Sequence, residues 1–70
     1  MMVLFKLEKN DYIELNSLLK VTGLCESGGR ANQLISNGDV AVDGKSETRK
    51  RCKIRSGQIV KLDDQTIKIE

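Results

Sequence analysis

The stretch ESGGRANQLISNGDVAVDGKSETRKRCKIRSGQIVKL, residues 26–62, decides the fold. Ser27 is placed to open a helix as its N-cap, with Ala31, Leu34 and Ile35 spaced for burial and Asn37-Gly38 closing it. Val40 and Val42 then alternate with the period of a strand. Asp43-Gly44 follows, and because both residue types tolerate positive φ, the pair predicts a tight hairpin with a return strand from Lys45. Ile54 precedes a turn at Ser56-Gly57, and Val60 and Leu62 alternate again.

Working upstream, Leu15, Leu18, Leu19 and Thr22 fall at i, i+3, i+4 and i+7, the stripe of a short helix that Gly23 ends. Asp11 and Glu14 have the spacing of a capping box, but Tyr12-Ile13 favours extended backbone, so the helix is expected to start nearer Glu14. Val3, Phe5 and Leu7 alternate as a half-buried strand. Downstream, Asp63-Asp64-Gln65 makes a reversal and Ile67 and Ile69 alternate, so the chain ends as a hairpin. Helices this short are marginal alone and must pack on something. The order predicts an α+β fold, two short packed helices on one side of a small, mostly antiparallel sheet. With no repeat or Pro/Ser-rich linker, residues 1–70 read as a single domain.

Composition bounds the function. Seventy residues, 39% hydrophobic and 31% charged, bury only about 60% of the surface of the unfolded chain, leaving little room for a deep substrate cavity. The chain has no His and no Trp, and one Phe and one Tyr, so the commonest general base and metal ligand are missing and base-stacking platforms are scarce. No nucleophile–base pair is visible. Asp63-Asp64 is turn chemistry, and the core has the stronger claim on Phe5. The expectation is no enzyme, no cofactor, no metal and no small-molecule substrate. Cys25 and Cys52 are too few and too far apart for a zinc signature; their separation permits a disulfide without requiring one. The apolar start MMVLF is interrupted by Lys6 and Glu8, so neither a secretory leader nor a membrane span is expected. A monomer with free thiols in a reducing cytoplasm is the default.

The net charge of +2 hides an asymmetry. Residues 1–44 carry four cations against six acids, giving −2; residues 45–70 carry eight cations against four acids, giving +4. Five of those eight lie in RKRCKIR, residues 49–55. If residues 48–55 are extended, Arg49, Arg51, Lys53 and Arg55 share one face, while Lys50, Cys52 and Ile54 take the other, with Cys52 and Ile54 in the core and Lys50 snorkelling or at an edge. Same-face spacing of about 6.6 Å is close to the phosphate repeat of a nucleic-acid strand. A solvated charge run is the plain alternative.

A second anion site is offered by Ser27-Gly28-Gly29-Arg30. The first amides of a helix lack intrahelical partners, the two glycines leave approach open, and Arg30 adds charge. Ordinary capping with close helix–helix packing explains the same residues. Lys45, past the Asp43-Gly44 turn, is a third candidate if the hairpin brings it to the side of the basic run.

Taken in order, these features resemble the RNA-binding domain named after small-subunit ribosomal protein S-four, also known as the αL motif. The carriers are the leucine helix of residues 15–22, Ser27 with Ala31, Gly38, Val40 and Val42, Gly44 with Lys45, and Gly57. The likeness extends to the stand-alone bacterial proteins of the YbcJ type in IEL, LLK, ESGG, VDG, ETRKRCKI and GQ, and covers residues 13–62 as the core motif. It implies a non-catalytic module that binds structured or ribosomal RNA through a basic surface made by the second helix and the strand region. Many relatives carry basic residues directly after the helix-opening Ser, where this chain has Gly28 and Gly29, so the contacts are expected to fall on Arg30, Lys45, Arg49, Lys50, Arg51, Lys53 and Arg55. A helix-turn-helix DNA reader would need a more basic second helix. The alternative reading is a protein-interaction adaptor using the same basic strand region.

Overall fold

The computed structural model describes residues 2–70. The elements run β1 (Met2–Phe5), β2 (Ile13–Glu14), α1 (Leu15–Val21), α2 (Gly28–Ser36), β3 (Val40–Val42), β4 (Lys45–Ser46), β5 (Lys53–Ile54), β6 (Ile59–Leu62) and β7 (Gln65–Ile69). Five strands form one sheet in the order β1-β7-β6-β3-β4, and β2 pairs with β5 in a separate two-stranded ribbon. Every pairing is antiparallel except β1 with β7. This is the expected α+β architecture.

Local chemistry accounts for the boundaries. Ser27 accepts the Arg30 amide at 3.2 Å and so caps α2. The leucine stripe of α1 is fully buried at Leu15, Leu18 and Leu19. Between β3 and β4, Asp43 and Gly44 take φ of +52° and +85°, the two left-handed positions of a type I′ turn, which matches the twist of the flanking strands. Val42 then pairs with Lys45 across the two-residue loop. The return strand starts at Lys45 as expected and spans two residues, and the Glu47 amide makes one more bond to β3, donating to the Val40 carbonyl at 2.9 Å.

The sheet has two unlike faces. Val40, Val60, Leu62, Ile67 and Ile69 point inward and join the α1 leucines, Ala31 and Ile35 in one core cluster. Each such Leu, Ile or Val stabilises the fold by roughly 1.5–3 kcal/mol. Met2, Leu4, Ile59, Lys61 and Lys68 alternate to the exposed side. The helices therefore cover a single face, as the sequence predicts.

Candidate nucleic-acid interface

The basic run does not extend as a strand. Residues 48–52 leave the sheet, the chain turns at Lys50-Arg51 with the Cys52 amide bonding back to the Arg49 carbonyl at 3.2 Å, and only Lys53–Ile54 is β5. The two-face alternation expected for residues 48–55 is thus corrected to a turn followed by a two-residue strand. Cys52 is half-buried and Ile54 buried, as expected, whereas Lys50 stands exposed in the turn and neither snorkels nor sits at a sheet edge.

The reason lies at the start of α1. Its N-cap, Glu14, makes no side-chain capping bond, so the first helical amides need other acceptors. The basic segment supplies them: the Leu15 amide donates to the Cys52 carbonyl at 2.9 Å and the Asn16 amide to the Lys50 carbonyl at 3.0 Å. With its carbonyls turned to the helix, the loop leaves Arg49, Lys50 and Arg51 exposed. Arg49, Arg51, Cys52 and Lys53 line one shallow, open concavity.

Two acids temper this charge. Glu47 receives the Arg49 amide, its Nε and its Nη2, each at 3.0 Å. Those bonds hold the Glu47 carboxyl down at about 2 and raise Arg49 above its usual value. Arg51 faces Glu14 at 3.5 Å. Lys50, Lys53 and Arg55 have no ion-pair partner among the described residues. The sequence signal for the Glu47 pair was an acid two residues before the run; the Glu14 pair needed the β2–β5 ribbon.

Arg55 is set by a relay from the hairpin turn. Asp43 accepts Gln58 Nε2 and the Ile59 amide, both at 3.0 Å, which lowers its carboxyl pKa, and Gln58 Oε1 accepts the Arg55 amide at 2.7 Å. Lys53 Nζ and Arg55 Cζ lie 5.0 and 5.8 Å from the centre of the Tyr12 ring.

The middle of α2 is linked to this region through α1, since Asn16 Nδ2 donates to Asn32 Oδ1 at 3.1 Å. The side chain of Asn16 thus ties α2 to the same turn of α1 that holds the basic loop. Sequence reasoning passed over both asparagines, which carry no periodic or charge signal. Arg30 is exposed and bonds Gln33 at 3.4 Å. A Cβ at Gly28 would meet open space, and at Gly29 only Ser27 Oγ at 3.9 Å, so tight helix packing does not account for these glycines. Lys45 is exposed on β4 and does not line the concavity.

Burial raises both thiols above their ordinary pKa, with Arg30 opposing it at Cys25 and Arg49 at Cys52; both are free. Among the described residues no group of His, Cys, Asp or Glu could hold a metal ion, and no helix is long and apolar enough to cross a membrane.

The S4 domain family model matches residues 5–70. YbcJ of Escherichia coli (strain K12) is 46% identical over 68 residues, covering 97% of each chain, and the uncharacterized YbcJ of Shigella flexneri matches to the same extent. The solution structure of YbcJ from E. coli, described as revealing an αL motif involved in RNA-binding, superposes with a TM-score of 0.76 at 45% identity, over 99% of this chain and 87% of that one.

Proposed function

The chain belongs to the S4 domain family, and from that membership we propose that it is a non-catalytic RNA-binding module. Its targets are structured RNA, ribosomal RNA among them, and it works as a cytoplasmic monomer. The observation that carries this reading is the loop of residues 49–53, whose backbone is held by the first amides of α1 while its cations face solvent. Phosphate neutralisation supplies most of the affinity and little sequence preference. Lys50, Lys53 and Arg55 carry most of the contact, Arg49 and Arg51 share theirs with Glu47 and Glu14, and Ser27, Gly28, Gly29 and Arg30 receive a further phosphate at the start of α2. Lys45 contributes at the margin. The RNA motif assigned to the solved relative supports the same reading.

The test is a titration of labelled structured ribosomal RNA fragments by fluorescence anisotropy, beside affinity capture with and without complete nuclease digestion. Saturable binding, with captured partners lost on digestion, is the expected result. Protein partners that survive digestion, with no RNA binding, would establish an adaptor instead.

A further inference from the structure

Tyr12 lies just before β2, and the register Ile13↔Ile54 and Glu14↔Lys53 continues to set Tyr12 opposite Arg55. In an antiparallel pair, opposed residues share a face and alternate residues return to it, so Tyr12, Glu14, Lys53 and Arg55 project from one side of the ribbon. Arg51 engages Glu14 at 3.5 Å. Tyr12 as a residue is 39% exposed, with the ammonium of Lys53 and the guanidinium of Arg55 over its ring, within 6 Å of the centre. The chain's other aromatic, Phe5, packs against the core. Lys53 also lines the basic concavity, so the ring stands at the margin of the proposed phosphate-binding surface.

A part-exposed tyrosine with two cations over its ring, neither of them ion-paired among the described residues, is chemically matched to one ligand unit. The ring offers a stacking surface to a base, and the cations offer charge to the phosphates on either side of it. A base within a duplex is already stacked on both faces and cannot use such a surface; an unpaired one can. We propose that Tyr12, with Lys53 and Arg55, forms a subsite for a single unpaired nucleotide beside a helical segment. The module would then prefer bulged or junction-containing RNA over a continuous duplex. This rests on the RNA-binding reading above and adds the class of RNA recognised.

Two RNA hairpins identical except for one bulged adenosine test it. The bulged hairpin binds about five-fold or more tightly, the range of a single base–aromatic stack. Tyr12→Leu brings the ratio of the two affinities to about one, and Tyr12→Phe keeps the preference. In wild-type protein the ring protons of Tyr12, the chain's single tyrosine, move upfield by NMR on adding the bulged hairpin and not the plain one. Equal affinity for the two hairpins, or a bulge preference that survives Tyr12→Leu, overturns the subsite and leaves the RNA-binding module standing. Failure of both hairpins to bind overturns the two together.

Discussion

Replacing Glu47 with Gln separates the geometry of the basic loop from its charge. The carboxylate collects three hydrogen bonds from Arg49, and these hold its pKa at about 2 rather than the usual 4.5. Converted at 1.36 kcal/mol per pH unit, that sets an upper limit of ~3 kcal/mol. The Arg49 side chain is 77% exposed, so solvent screening leaves about 1 kcal/mol. For a domain of this size, Tm should fall by about 4–8 °C in Glu47→Gln at neutral pH. Because the folded pKa is depressed, this stabilisation is fully present above the unfolded value of 4.5 and is lost as pH falls through about 2. Glutamine does not titrate. The gap in Tm between wild type and variant, followed by circular dichroism, therefore holds from neutral pH down to about 4.5 and narrows from there towards 3. A gap that stays constant across that range, or no gap at neutral pH, would refute the account of how the loop is held.

Two further substitutions test the fold beneath the site. Leu18 is fully buried in the core, so Leu18→Ala should cost about 2–5 kcal/mol in a domain whose total stability is roughly 4–10 kcal/mol; denaturant melts should show a marginal or unfolded protein. Gly44→Ala introduces a Cβ that meets no neighbour, yet at φ +85° the backbone alone should cost about 1–2 kcal/mol. Its chemical shifts should change around the β3–β4 turn only, and wild-type stability would contradict the turn assignment.

How much the sequence disclosed follows the range of the forces. The leucine stripe of α1, the Ser27 cap and the Asp43-Gly44 turn depend on residues within a few positions of each other, and the structure has them where the periodicity puts them. The basic segment was legible as composition and not as shape. Its conformation is set by amides of Leu15 and Asn16, more than 30 residues away along the chain, which outweigh its local tendency to extend. The same distance hid Glu14 as a partner of Arg51 and Tyr12 as a neighbour of Lys53 and Arg55. The partition of charge singled out residues 49–55, the stretch on which the proposed interface rests. It overstated the unopposed charge, because Glu47 and Glu14 engage two of the five cations.

Lys50, Lys53 and Arg55, which have no ion-pair partner among the described residues, are the cations proposed to meet phosphate. The direct measurement is the salt dependence of affinity for a structured RNA, comparing wild type with Lys50→Ala/Lys53→Ala/Arg55→Ala. Each lost phosphate contact removes about 0.7–0.9 from the slope of log affinity against log salt. The triple variant should lose about 2–3 in slope and bind more weakly at low salt, with little change in Tm because all three side chains are exposed. An unchanged slope and affinity in a folded triple variant would contradict the account and move the interface elsewhere on the protein.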